Sequence, residues 1–152
     1  MALNPEEFYN EIMSQGVELF TGVPDSLLKE FCLVVEDRMS RQQHIITANE
    51  GNAVALACGH FLAKQSIPLV YMQNSGLGNA INPLLSLSDP DVYSIPLLLM
   101  IGWRGEPGIK DEPQHIKQGK IQLSLLESMG LQYDIISSES DNYKSIIDKA
   151  LN

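Results

Sequence analysis

The chain has 152 residues, 44% of them hydrophobic and 19% charged, with 10 Lys and Arg against 19 Asp and Glu for a formal charge of −9. That length and composition fit one folded domain with a sizeable core and exclude disordered and low-complexity classes. The acidic balance argues against a general binder of nucleic acid or anionic membrane, and two cysteines, Cys32 and Cys58, cannot build a disulfide framework or a cysteine zinc site.

The first residues are acidic and amphipathic, with no basic stretch and no apolar stretch of a secretory leader. The longest apolar run, Ile95 to Ile101, contains Pro96 and is too short to cross a bilayer. A reduced, cytoplasmic protein without a membrane span is expected. In chain order, Pro5 to Gln15 reads as a helix with Asn4 as N-cap and Pro5 at its first position, stopped by Gly16. Val17 to Phe20 reads as a strand, and residues 21–24 as a turn. Asp25 or Ser26 can cap a helix to about Asp37 that carries Leu27, Leu28, Phe31, Val34 and Val35 on one side. His44 to Thr47 is a second strand. Asn49 then caps an Ala-rich helix, Glu50 to Lys64. Pro68 to Met72 is a third strand, followed by the loop 74–78 and a helix to about Leu87. Ile95 to Ile101 is a fourth strand. Residues 102–119, rich in Gly, Pro and mixed charge, read as a long functional loop. A helix from Ile121 to Met129 ends at Gly130, Tyr133 to Ile136 reads as a fifth strand, and Asn142 to Leu151 as a last helix.

Apolar strands alternating with helices predict an α/β fold, three-layer αβα with a mainly parallel central sheet. Ligands of such sheets lie outside the carboxyl ends of the strands. The segments there are residues 21–26, 48–52, 73–78 and 102–119, each richer in Gly, Pro, Asn or charge than its surroundings.

Acids are unevenly placed. Between Arg38 and Ser88 the only one is Glu50, at the start of the helix that follows the second strand. The helix dipole there favours the anion and desolvation favours the neutral acid, so the carboxyl suits proton exchange. The same pattern also fits a first-turn Glu that merely completes a helix N-terminus. The small residues Gly51, Ala53, Ala55, Ala57 and Gly59 predict close approach by another helix or a partner chain, or tight packing on the sheet. The Gly76-x-Gly78 pair does not complete a dinucleotide fingerprint.

Four segments in order, TGVPDSLLKEF (21–31), TANEGNAVALACGHFLA (47–63), YMQNSGLGNAINPLLSL (71–87) and GWRGEPGIKDEPQHIKQG (102–119), resemble the pyrimidine-binding domain of thiamine diphosphate-dependent decarboxylases. The likeness covers nearly the whole chain. It is strongest to phosphonopyruvate decarboxylases, with sulfopyruvate decarboxylase α chains next. The resemblance implies one pyrimidine-binding domain over residues 1–152 and thiamine diphosphate with Mg2+ as cofactors. It implies that Glu50 exchanges a proton with the cofactor's aminopyrimidine, and that Asn74, Ser75, Gly76 and Leu77 lie beside that ring. Asp25 and Ser26 would face the reacting carbon, and His115 would relay protons. Arg104 and Lys117, in a loop where cations gather, would hold the anionic group of a small 2-oxoacid. The family's Gly-Asp-Gly motif is absent from this sequence. The resemblance therefore assigns no metal ligand here and expects a diphosphate-binding domain or β subunit, in a homo- or hetero-oligomer. On the residues alone, a phosphate-compound binding module and a non-catalytic interaction subunit stay open. His44 and His60 read as structural, and the two cysteines as core thiols.

Overall fold

The computed structural model describes residues 3–137 and 142–151. The chain folds in the order α1 (Pro5–Ser14), β1 (Phe20–Gly22), α2 (Lys29–Arg38), β2 (His44–Ile46), α3 (Glu50–Lys64), β3 (Leu69–Gln73), a 3-10 turn (Asn74–Gly76) and α4 (Leu77–Pro83). A π-turn (Leu84–Ser88), β4 (Leu98–Gly102), α5 (Pro113–Ser128) and α6 (Tyr143–Leu151) complete it. Asn4 caps α1 by accepting from the amides of Glu6 and Glu7, and Asn49 caps α3 by accepting from Asn52 N at 3.0 Å.

The four strands are all parallel, in the order β2-β1-β3-β4. Burial follows the strand period of two. Val70 and Met72 face a core cluster with Ala53, Val54 and Ala57 of α3, Leu77 and Ala80 of α4, and Leu126 of α5. Leu69 and Tyr71 face the other cluster, with Phe8 and Ile12 of α1, Phe31 and Val35 of α2, and Ile147 of α6. Helices thus cover both faces, and the layers are αβα. From β1 the chain moves to β2 on one side of the sheet, whereas from β2 it crosses to β3 and then β4 on the other. Right-handed crossovers therefore put α2 on one face and α3 and α4 on the opposite one. The strand ends flanking that reversal, at β1 and β3, form the crevice where such sheets place ligands.

Two expectations are corrected. Residues 131–137 form no ladder, so the sheet has four strands among the described residues, and Tyr133 to Ile136 is not a fifth. Tyr133 and Ile135 are exposed, so the run's alternate side chains meet water rather than a sheet face. The helix expected at Ile121 starts eight residues earlier, at Pro113, so the loop after β4 is residues 103–112. Its first two turns are mostly exposed and polar, and carry no apolar period. Smaller shifts have local causes. Asp25 Oδ2 accepts from Leu27 N at 3.1 Å and holds a turn, so α2 begins at Lys29. Pro96, without an N–H, delays β4 to Leu98.

Gly22 is set by its neighbour in the sheet. A methyl group there would collide with the Tyr71 carbonyl and ring. Gly22→Ala should destabilise the fold by about 1–3 kcal/mol, the usual range for overpacking. A lower urea midpoint at unchanged slope is expected, and an unchanged midpoint would show that the strands part freely.

Candidate active site

Parallel pairing delivers four post-strand segments to one edge of the sheet. Glu50 opens α3 there and is only 8% exposed. Its carboxyl lies against the backbone of Gly76, where any Cβ would overlap it. Asn79 Nδ2, from the first turn of α4, donates to Oε2 at 2.8 Å. Oε1 accepts no hydrogen bond among the described residues. Gly51 allows this arrangement, because a Cβ on it would stand 2.7 Å from the Asn79 carbonyl.

Asn74 is buried just beside Gly76. Its Nδ2 donates to the Arg104 carbonyl at 2.8 Å, and its Oδ1 is buried without a partner. Ser75 Oγ accepts from Gln73 Nε2 at 2.6 Å, while Leu77 packs into the core. Asp25 is buried after β1 with its Oδ1 also unpartnered. Its carboxylate covers Gly102 at the end of β4, where a Cβ would displace it. The edge thus holds three acceptor oxygens without donors: Glu50 Oε1, Asn74 Oδ1 and Asp25 Oδ1. A flat heterocycle with an exocyclic amino group and a protonated ring nitrogen offers donors for the first two. The missing side chain at Gly76 leaves room for the Glu50 carboxyl against the turn that carries Asn74 and Ser75. The residues present fit the pyrimidine of thiamine diphosphate.

The loop after β4 is a clasp with Asp111 as its hub. Asp111 accepts from Arg104 Nε at 2.8 Å, Arg104 Nη2 at 2.5 Å, Gly105 N at 2.7 Å and Glu112 N at 2.7 Å. Arg104 Nη1 donates to Ser26 Oγ at 2.6 Å, which ties the clasp to the turn after β1. Trp103 Nε1 donates to the Gly119 carbonyl at 2.9 Å, and Gly119 is buried against the Gly105 backbone. A cavity of about 410 Å3 lies between clasp and turn, lined by Ser26, Trp103, Arg104, Glu106, Lys110 and Asp111 among others.

Of the residues singled out in the sequence, the structure brings together Glu50 with Gly76, Asn74 with Arg104, and Ser26 with Arg104. His115 lies in the first turn of α5, half-buried, with its carbonyl against Gly105 and no side-chain hydrogen bond among the described residues. Lys117 is exposed and makes no ion pair among the described residues, whereas Lys110 lines the cavity with Arg104. Three residues were missed. Asn79 sits one helical turn from Ser75, a spacing that could have marked it. Asp111 and Gly102 carry no sequence signal, because no periodic or capping pattern marks a loop carboxylate seven residues from its arginine and Gly102 meets the distant Asp25. Among the described residues no group of three or more His, Cys, Asp or Glu could hold a metal, and no helix is long and apolar enough to cross a membrane.

The hydrogen bonds from Arg104 hold the Asp111 carboxyl well below the usual carboxylate range, and Asp111 in turn raises the Arg104 guanidinium. A depressed folded value stabilises the fold fully above the unfolded value of about 4, and that contribution is lost progressively as pH falls from there toward the folded value. Trp103 is the single tryptophan and reports the clasp. Its emission should hold from neutral pH down to roughly pH 4 and redden only in stronger acid, with circular dichroism confirming that the fold persists. Asp111→Asn should redden it already at neutral pH; a blue, unshifted emission would remove Asp111 as the hub.

Residues 6–126 match the family described as thiamine pyrophosphate enzyme, N-terminal TPP binding domain. The chain is 39% identical over 127 residues to a phosphonopyruvate decarboxylase of Streptomyces viridochromogenes, a match that covers 83% of this chain and 31% of that protein. It is 35% identical over 143 residues to the sulfopyruvate decarboxylase subunit alpha of Methanococcus maripaludis, covering 94% of this chain and 83% of that one. The fold is shared with the thiamine diphosphate-dependent 4-hydroxybenzoylformate decarboxylase of Rhodococcus jostii RHA1, at a TM-score of 0.64 and 20% identity, over 97% of this chain and 26% of that one. The chain spans about a third of the length of the phosphonopyruvate decarboxylases that it matches. With residues 6–126 matched and with a relative of its own size class among the α subunits, the chain belongs to the N-terminal TPP-binding domain family of thiamine pyrophosphate enzymes.

Proposed function

We propose that this chain is the pyrimidine-binding half of a thiamine diphosphate-dependent 2-oxoacid decarboxylase that converts 3-phosphonopyruvate to phosphonoacetaldehyde and CO2 once paired with a diphosphate-binding domain. The observation that carries this reading is Glu50, a buried carboxyl at a helix N-terminus with one oxygen held by Asn79 and the other accepting no hydrogen bond among the described residues. When bound, thiamine diphosphate supplies a carbon nucleophile and a sink for the electrons left by the departing carboxylate. Glu50 Oε1 holds and returns the proton of the pyrimidine ring nitrogen. Asn74, Ser75 and Gly76 form the wall beside that ring with Leu77 packed in the core behind them, and Asn74 Oδ1 accepts from it. Asp25 and Ser26 face the reacting carbon, where Asp25 Oδ1 can carry a proton. His115 is the second proton carrier, on the α5 side.

The Arg104 guanidinium, fixed by Asp111, keeps one N–H on Nη1 and one on Nη2 beyond its bonds to Asp111 and Ser26. Those donors, with Lys117 beyond the clasp, receive the phosphonate. Diphosphate and Mg2+ fall to the partner domain, in a cytoplasmic homo- or hetero-oligomer. A second reading, the α subunit of a two-chain sulfopyruvate decarboxylase, is favoured by the 83% of such a subunit that this chain covers.

The chain alone, given thiamine diphosphate and Mg2+, should release no CO2 from 3-phosphonopyruvate, and the partner domain should restore release. In the assembled enzyme Glu50→Gln should lower kcat by about 10²-fold or more, the range for a general acid–base group. Full activity of that variant would remove Glu50 from its role. Comparing kcat/KM for 3-phosphonopyruvate and 3-sulfopyruvate decides between the two substrates. Saturable binding of a phosphorylated compound by the chain alone, with no turnover in any assembly, would instead make it a binding module.

A further inference from the structure

A second cavity, of about 340 Å3, runs under α2 from the turn after β1 to the edge strand β2. Asp25, Cys32, His44 and Tyr71 lie along it, with Lys29 and Glu36 at its mouth. Its inner end is the buried Asp25 carboxyl, whose Oδ1 has no partner. Its outer end is His44, half-buried on β2. Between them stands Tyr71, fully buried in β3, whose hydroxyl lies 2.8 Å from His44 Nε2. The tyrosine reaches across β1 because it pairs with Gly22, where a Cβ would come within 2.7 Å of its ring.

We propose that His44 and Tyr71, with the water that fills this cavity, form a proton path from the α2 side of the sheet to Asp25. The inference rests on the decarboxylase reading, because that reaction consumes one proton per turnover. The carboxylate leaves as CO2 and the carbon that carried it takes up H+. The cavity shares Ser26 with the clasp cavity and extends from there to Glu36 and His44 beyond the ligand edge. A proton taken by His44 Nδ1 lets the Nε2 proton pass to the Tyr71 oxygen. The hydroxyl proton of Tyr71 moves through water to Asp25 Oδ1, and Asp25 delivers it to carbon. One proton enters for each CO2 that leaves.

The charged and titrating groups facing the pair are Asp25, Lys29, Cys32 and Glu36, from the turn and α2. They sense one another in sequence. The Cys32 thiol is pushed up to about 11 by burial and by Asp25. Tyr71 is pushed up by burial, Cys32 and Glu36. Burial lowers His44, and Glu36 opposes that shift. The thiol therefore stays protonated, and burial favours the neutral imidazole between transfers.

His44→Gln keeps a hydrogen-bonding partner for Tyr71 and removes the titrating ring. In the assembled enzyme it should lower kcat by about tenfold, at the lower edge of what proton transfer contributes, with KM unchanged. The solvent deuterium isotope effect on kcat should rise, and added imidazole should restore the rate. Parent-like kcat and isotope effect, or a loss that imidazole does not relieve, would overturn the path. A second measurement needs no turnover. The His44 ring, followed by nitrogen NMR in the chain alone, should change its tautomer signature in Tyr71→Phe, since the hydroxyl facing Nε2 is gone. Coincident ring spectra would overturn the path as well. An assembled parent that releases no CO2 from either 2-oxoacid would overturn the decarboxylase reading, while the ring spectra still decide whether His44 and Tyr71 are coupled.

Discussion

A carboxyl group buried at a helix start beside bare backbone is the constraint around which this structure is arranged. Removing Glu50 from water is unfavourable, and three features offset it: the α3 N-terminus, the Asn79 amide and the absence of a side chain on Gly76. Each requires a particular neighbour. The Asn79 bond needs α4 close to α3, and that approach passes through Gly51. The Gly76 contact needs the turn after β3 to lie directly over the start of α3. That in turn needs β2 and β3 to end at one edge although β1 lies between them. A parallel sheet with right-handed crossovers meets these demands together.

The clasp after β4 solves a different problem. Ten residues without regular structure would ordinarily be a mobile surface loop. Here one carboxylate takes four donors, two of them from a single guanidinium in the fork geometry that matches a carboxylate. The same guanidinium reaches Ser26, so the turn after β1 and the loop after β4 move as one body. Asp25 is fixed from two sides, by the amide of Leu27 and by the surface of Gly102. The post-strand segments therefore behave as a preformed edge.

Elements with a local signal were legible in the sequence. Asn49 and Lys64 bracket α3 as observed, since a capping side chain and an Ala-rich run act within a few residues. Glu50 was legible because it stands alone among 51 residues without another acid. What depended on distant partners was not. The first turns of α5 are mostly polar outside and are held inside by the Gly105–Gly119 crossing, which no periodicity records. The run at residues 133–136 has strand composition but lies outside the ladder, because tertiary context outweighs β propensity. The bond between His44 and Tyr71 joins residues 27 apart across an intervening strand, a pairing no local pattern records.

The charge distribution limits how an anion can be recognised at this edge. The chain carries a formal charge of −9, and the clasp cavity sets Arg104 and Lys110 against Glu106 and Asp111. The cations and anions there balance, so the cavity offers no net positive field to draw an anion in. What it offers is direction. The guanidinium is held in one orientation by Asp111, and its spare N–H groups point from a fixed plane beside the Ser26 hydroxyl. Fixed donors discriminate by geometry, whereas free cations discriminate by charge. A tetrahedral anion and a planar carboxylate present their oxygens differently to such a fork, and the strength of that difference depends on Asp111 keeping the fork still.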